Sequence, residues 1–549
     1  MKILLLVTAF NSQTQAVYTK LKDLKHTVSV CFNRDEKQTL KEIREFEPEL
    51  ILCPFLKTYI SSPIYENYPV YIFHPGPRGD RGPNSLEYAL TNHTKKWGLV
   101  VLRANSEYDG GNIYVEKSFN VRETYKASLY RKEIVQASLD ALDTLLEKIE
   151  NNDYILQELN PIHEKFSQDK RAINWLKDRS EKIIEKIYLS DSHPGVLDKV
   201  LGVPCYLYGV HKEDKLKGKP KEIIAKRDGA ICLGTVDGAV WISHLKTIEG
   251  FKLPATYVLK EKLQGIKEER LPLVFDKSYA TFHEVSMEMR DNVAYLHFNF
   301  HNGAMGTAQC IRLKYAIEYL KAECDVLVLM GGDDFFSNGI HLNILEDSQK
   351  QGEDGWANIN AMNDVVRAII YADEVVTIAS FASNAGAGGV FMGIACDYVV
   401  GQVGVVLNPH YKTLGLSGSE YHTYTLVKRV GSVVAEQLLN ECLPISVTHA
   451  KCLGMIDEVF SHQEYLKSLH IFAISKIDDE FLWDKEDYLE ENRPMIEALK
   501  EKELQVMHPE FWDNTSDFHS MRYDFVYKVC PNATPKRLKL EPIKEEKYA

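Results

Sequence analysis

Several features that would settle this sequence's class at once are missing. Its 549 residues contain ten cysteines but no C-x-x-C and no paired spacing. Neither a zinc ribbon nor a disulfide framework is therefore expected, and free thiols point to a reducing, cytoplasmic setting. No apolar run approaches the roughly 20 residues that cross a bilayer. Met1 to Phe10 is apolar but runs straight into polar Asn11 to Thr14 without a cleavage site, so it reads as a first strand and not as a signal peptide. An excess of basic charge is also lacking: the net charge of −13 argues against a general nucleic-acid binder. No G-x-G-x-x-G follows the first strand, which removes support for a dinucleotide site. No metal site, nucleic acid or membrane is expected.

What is present is a long soluble composition, 45% hydrophobic and 26% charged, for which two to four domains are expected. Residues 1–120 alternate strands (Ile3–Val7, Thr27–Cys31, Leu50–Cys53) with helical stretches (13–25, 36–46), the pattern of a parallel, helix-covered sheet. A long amphipathic stretch follows, from Tyr125 to about Asn151. From about 179 to 261 short strands and turns predict a small β-barrel. The lysines there (Lys212, Lys215, Lys217, Lys219, Lys221) read as a solvated loop. Strand Val293–Phe300 and helix Cys310–Leu320 open a third region. The last predicts a helix over 487–505, docking aromatics at Phe511, Phe518 and Phe525, and disorder from Lys536. The expected organisation is α/β multidomain, divided at 1–170, 171–270, 271–477 and 478–549.

In the first region a strand ends at His74 and runs into a Gly/Pro-rich loop through Asn84. A carboxylate in a glycine turn follows at Asp109-Gly110-Gly111. A histidine at a strand end beside a carboxylate is a plausible proton-transfer pair. With His74-Pro75, Arg81-Gly82 and Asp109-Gly110 in this order, the region resembles the 10-formyltetrahydrofolate-dependent formyltransferases. The resemblance implies a parallel-sheet domain with His74 and Asp109 catalytic, and with Asn11, Arg81, Gly82, Asn84 and Gly110 at the folate. It also implies the β-barrel, whose His193-Pro194-Gly195 turn is similar to that family's C-terminal domain. The chain departs where the family has its catalytic asparagine, which is Ile72 here. Either another donor, Asn11 or Asn84, substitutes, or the formyl acceptor differs.

Further on, the apolar run Val326–Met330 leads into glycines and a second turn at Phe336–Ile340. A glycine cluster at Ala385–Gly389 opens a helix that leads to Cys396-Asp397. Glycine lets the backbone approach a ligand, and unpaired N–H groups at such turns can face developing negative charge. The two turns, with Ala450–Val459 behind them, resemble the crotonase (enoyl-CoA hydratase/isomerase) superfamily. That implies a ββα spiral, an oxyanion hole from the Ile340 and Gly388 amides, and coenzyme A contacts at Ser337, Gly339 and Gly389. Both glutamates of the family's hydratases are missing, replaced by Phe391 and His410, so enoyl-CoA hydration is not expected. A new acid stands at Glu420, where a buried carboxylate would need a functional reason. Glu420 is the expected proton carrier, assisted by Tyr421 or His410.

A formyl-folate site and an acyl-CoA site on one chain resemble the family of hydrogenase maturation proteins built from these two halves. That resemblance implies carbon monoxide synthesis for the iron of [NiFe]-hydrogenase. The first half would transfer formyl from 10-formyltetrahydrofolate to coenzyme A. The second would release CO from formyl-CoA, and other maturation proteins would receive it. The residues leave open an amine formyltransferase, a formyl-CoA hydrolase and a non-catalytic scaffold.

Overall fold

The apolar run after Met1 forms strand β1 (Lys2–Val7), and β2 (Thr27–Phe32), β3 (Leu50–Cys53) and β4 (Val70–His74) lie parallel to it in one sheet. In this computed structural model, which describes residues 1–540, two further strands, β5 (Lys96–Arg103) and β6 (Ile113–Asn120), complete the order β2-β1-β3-β4-β5-β6. Both join antiparallel, which the strand–helix alternation at the start of the chain did not announce. Helices Ser12–Asp23 and Glu36–Phe46 begin where Asn11 and Asp35 accept the N–H groups of Thr14 and Gln38. Helix Val135–Glu150 packs on β6, burying Leu139, Leu142 and Leu145.

Among the described residues, Met1–Arg171, Tyr188–His193 and residues 530–540 form one compact unit. The last segment is more ordered than its charge suggests. Thr534 Oγ1 accepts the Phe32 N–H at 2.8 Å, and Lys539 Nζ donates to Glu42 Oε1 at 2.7 Å. Burial opposes the charge on Glu42, but bonds from Gln38 and Lys539 overcome it and hold the carboxyl below its usual range. Lys536–Leu538 is therefore a 3-10 turn and not the expected disordered tail; residues 541–549 of that expectation lie outside the described residues.

The second unit comprises Ala172–Ile187 and Pro194–Val529. It opens with a six-stranded antiparallel sheet in the order Val196–Val200, Val203–Glu213, Ala239–Thr247, Ala230–Gly234, Ile223–Arg227, with Lys252–Pro254 pairing Ala239–Thr247. The rest is a stack of ββα turns. Strands Val326–Gly331, Val376–Phe381 and Tyr398–Gln402 run parallel in a large sheet. Each is followed by a short strand of a second sheet (Phe335–Ser337, Asn384–Gly386, Val406–Asn408) and then by a helix. Because the short strands are also parallel, with Ser337 opposite Ala385 and Gly386 opposite Asn408, the turns that leave them are stacked side by side.

Cys396-Asp397 closes one of these corners. Asp397 accepts both the N–H and the hydroxyl of Thr377 and the ammonium of Lys485, while Arg429 Nη2 donates to the Cys396 carbonyl. Lys485 belongs to helix Asp479–Trp512, which is longer than the predicted 487–505 because Asp478 caps it, accepting from the N–H groups of Glu480 and Phe481. Phe511 and Phe518 are buried as expected, whereas Phe525 is exposed.

Candidate active sites

In the first unit, β4 ends at His74, and the Gly/Pro loop beyond it folds back over the histidine. The ring lies between two carboxylates: Nε2 is 2.7 Å from Asp80 Oδ2, and Nδ1 is 3.6 Å from Asp109 Oδ2. The expected His74–Asp109 pair is thus brought together, but the direct bond is to Asp80. Asp80 is buried and also receives the Ser85 hydroxyl at 2.5 Å and His163 Nε2 at 2.7 Å. Burial works against its charge; the bonds from His74, Ser85 and His163 more than compensate and hold its carboxyl below the usual range.

Asp109 sits at φ 48° in its glycine turn and accepts the Gly82 N–H at 3.0 Å. Gly82 itself has φ 96°, and a Cβ there would lie 2.5 Å from Ile162 Cγ2, so no other residue fits without displacement. Gly110 is similarly close-packed, with Glu107 Cβ 2.7 Å from the position of a Cβ. Arg81 is buried and spends its guanidinium on the chain itself, on the carbonyls of Tyr108 (2.8 Å) and Asn160 (3.0 Å) and on Glu107 (3.3 Å). It braces the two loops to each other.

Both asparagines offered in place of the missing donor have partners within the chain. Asn11 Oδ1 caps the first helix, and its amide lies 3.5 Å from the Tyr130 hydroxyl. Asn84 donates to Glu87 at 2.7 Å and accepts the Phe166 N–H at 3.1 Å. Sequence reasoning missed Asp80 and His163. Asp80 stood in the Gly79-Asp80-Arg81 stretch, where its acidic neighbourhood to His74 was the available signal; His163, some ninety positions on, carried none.

In the second unit the stacked turns bring the predicted glycines together. Gly339 has φ 76°, and a Cβ on it would stand 3.2 Å from the Gly388 nitrogen. Gly388 is the first residue of helix Gly388–Ile394, so its N–H has no acceptor within that helix. Ile340 follows Gly339 and bridges to Met305. Ser337 is fully buried, and its hydroxyl accepts the Gly339 N–H at 3.1 Å, so it shapes the turn. A Cβ on Gly389 would meet the Ser337 carbonyl at 2.2 Å, which makes glycine obligatory where helix crosses strand.

Glu420 closes this site. A Cβ on Gly388 would lie 2.8 Å from Glu420 Oε1 and 2.7 Å from Met362 Cε, so the carboxylate and the thioether wall a cradle that only a glycine backbone leaves open. Glu420 is 1% exposed. Burial is the largest influence on its carboxyl and pushes it up to about 7, against the bond from Tyr411 and the nearby His422, which favour the charged form. Glu420 and Tyr421 both take left-handed backbone conformations (φ 61° and 56°), a strained pair that Asn363 supports by accepting the Glu420 N–H at 3.1 Å.

The expected assistants are arranged differently. The phenol on Glu420 is that of Tyr411, which donates to Oε2 at 2.6 Å. Tyr421 instead donates to Glu497 at 3.2 Å, because its left-handed backbone turns the side chain toward helix Asp479–Trp512. His410 is held 3.3 Å from the Thr413 hydroxyl. Phe391, where hydratases carry an acid, stacks on Tyr411 at 4.9 Å and holds that ring flat. Behind Tyr411, buried His422 lies 3.2 Å from Glu503; burial opposes its charge, but the Glu503 contact prevails and raises the imidazole above its ordinary value.

Comparison with known proteins follows the same division. The chain matches the enoyl-CoA hydratase/isomerase family over residues 288–481 and the formyl transferase C-terminal domain family over residues 165–262. It is 33% identical to the hydrogenase maturation factor HoxX of Bradyrhizobium diazoefficiens, an alignment covering 97% of this chain and 96% of that one. It is 24% identical to the methionyl-tRNA formyltransferase of Thermotoga neapolitana over 39% of this chain and 70% of the relative. Among solved structures, HypX from Aquifex aeolicus in complex with tetrahydrofolic acid superposes with a TM-score of 0.95 at 38% identity, with full coverage of both chains.

Proposed function

The chain belongs to the family of hydrogenase maturation factors HoxX and HypX, and from that membership and the two sites we propose that it makes carbon monoxide for a [NiFe]-hydrogenase. The one-carbon unit would come from 10-formyltetrahydrofolate and be released from formyl-CoA. Folate binding in the first unit is supported by the tetrahydrofolate held by the Aquifex relative. Coenzyme A in the second is supported by the crotonase-like turns and the glycine-lined cradle. The ten free thiols suit a reducing cytoplasm.

In the first site the His74–Asp109 pair takes the proton of the coenzyme A thiol as sulfur attacks the formyl carbon. The same proton goes to N10 of the folate as the C–N bond breaks, so tetrahydrofolate and formyl-CoA form with no net proton change. In the second, the Ile340 and Gly388 amides hold the thioester oxygen. Formyl-CoA has no α-carbon, which excludes the enolate chemistry of the crotonase fold. Glu420 takes the formyl proton, the C–H electrons become the carbon lone pair of CO, and the C–S pair leaves with sulfur. The proton then passes to the thiolate, restoring the coenzyme A thiol. Tyr411 keeps the carboxylate aimed by donating its phenol to Oε2.

The observation that carries this reading is the Glu420 carboxylate at the Gly388 cradle, poised near neutrality in a site that lacks both hydratase acids. Purified protein given 10-formyltetrahydrofolate and coenzyme A, with reduced haemoglobin as a spectral trap, is expected to yield CO only when both substrates are present. Folate consumption accompanied by formate and no CO would make the protein a hydrolase.

A further inference from the structure

Residues 151–167 form no helix, and their only strand pairing is a bridge from Ile155 to Ile113. Stretches beyond roughly 12 to 15 residues without structure of their own are uncommon inside a compact unit and are usually either functional or linkers. Its apolar side chains are largely exposed, Leu156, Leu159 and Ile162 by 74%, 52% and 50%, although Leu159 and Ile162 lie against Gly110 and Gly82. It is also held by hydrogen bonds to the loops around His74. Gln157 donates to the Asp109 carbonyl at 2.6 Å, Asn160 donates to the Gly79 carbonyl at 3.1 Å, and the His163 N–H bonds the Arg81 carbonyl at 2.9 Å. Tyr88 donates to the Glu164 carbonyl at 3.0 Å, and its ring stacks on that of His163 with centroids 4.2 Å apart. The result is a strap whose contact with the ionisable groups around His74 is His163 Nε2 on Asp80 Oδ1, at 2.7 Å.

We infer that His163 is a positioning residue of the first site: by occupying one oxygen of Asp80 it keeps the other on Nε2 of His74. The inference rests on the reading of His74 as the proton carrier. An ionised carboxylate on Nε2 fixes the proton of the neutral ring there, which leaves the Nδ1 lone pair on the Asp109 side, where a substrate thiol would be met. Asp80 can do this only while it is charged and does not rotate. Three groups face it: His74 from β4, the Ser85 hydroxyl from helix Ser85–Thr91, and His163 from the strap. Asp109 lies beyond His74, and the Arg81 guanidinium is spent elsewhere. His163 alone reaches Oδ1 among the described contacts, and with 31% of its side chain exposed it alone of the four rings and carboxylates touches solvent substantially.

The test uses the full chain with His163→Ala and His163→Gln. In His163→Ala, kcat for formyl-folate consumption is expected to fall about ten- to a hundredfold, the change made by losing one hydrogen bond to a charged group. KM for the folate stays unchanged, and the acid limb of kcat moves to higher pH because Asp80 loses a donor that favours its charged form. Gln still presents an N–H to Oδ1 and should recover most of the activity. Unchanged kcat and pH profile in His163→Ala, or equal losses in Ala and Gln, overturns the inference. A second readout does not depend on turnover: in protein labelled with 15N-histidine, the His74 signal should report Nε2–H in the unsubstituted chain and a mixture of tautomers in His163→Ala. An unchanged His74 tautomer also overturns the inference. Absence of folate turnover with the tautomer shift intact would instead count against the reading of His74 as catalytic.

Discussion

Tyr411 donates its phenol to Glu420 at 2.6 Å, and that single bond connects the protonation of a buried carboxylate to the aromatic packing around it. The phenol is itself raised well above its ordinary value, by burial first and by the adjacent Glu420 charge second, so it serves as a donor and stays protonated.

Replacing Glu420 with Gln removes the group assigned to the formyl proton. CO release should fall about a hundredfold to ten-thousandfold, the range of a general acid–base residue. Formyl-folate consumption should persist until formyl-CoA accumulates. The two rates are read together from haemoglobin absorbance and folate absorbance.

With Tyr411 replaced by Phe, Glu420 loses a bond that favours its charged form. Its carboxyl already stands at about 7, so the base needed for the reaction is formed as pH rises through neutrality. In the Phe variant that rise should shift to higher pH, while the plateau rate changes less. A pH–rate profile for CO release from formyl-CoA checks this, and an unshifted limb would remove Tyr411 from the account.

Gly388→Ala places a methyl 2.7 Å from Met362 Cε and 2.8 Å from Glu420 Oε1. The methionine can yield, but the carboxylate, held by Tyr411, has less freedom. CO release should drop about a hundredfold or more, as when an oxyanion-hole donor is lost. Circular dichroism should remain that of the unsubstituted protein.

His74→Ala separates the halves. Folate consumption should be lost, whereas CO production from supplied formyl-CoA should be retained. Parallel loss of both would mean that the two chemistries are not divided between the sites as proposed.

Stability should carry its own pH signature. Burial pushes Glu284 up to about 7, against Arg312 and Gln309, from an ordinary value of 4.5, and Glu420 is shifted in the same direction. Between those values the folded protein binds more protons than the unfolded chain, so its stability falls as pH rises across the window. Glu284→Gln should flatten its share of that decline in melting temperature between about pH 4.5 and 7.

The sequence by itself determined whatever depends on short-range pattern. Strand and helix alternation announced the first sheet, and glycine spacing located both turns of the second site. His74, Asp109, Ile340 and Gly388 could be named as candidates because each stands in a short motif that resembles a known family, and Glu420 because it departs from one. Their partners were decided only by the tertiary structure. Tyr411 reaches Glu420, and Tyr421 does not, because consecutive left-handed residues swing the phenol of Tyr421 onto a helix that lies some seventy positions later in the chain. Asp80 is the bond partner of His74 because the loop folds back on its own strand, and His163 joins it through a strap that has no periodicity to read. Stacking of parallel ββα turns is what sets Gly339 against Gly388 and brings Glu420 to the same cradle. A sequence records which backbone conformations are permitted at each position, but which side chains meet is settled by the long-range register of sheets and by where buried polar groups find their partners.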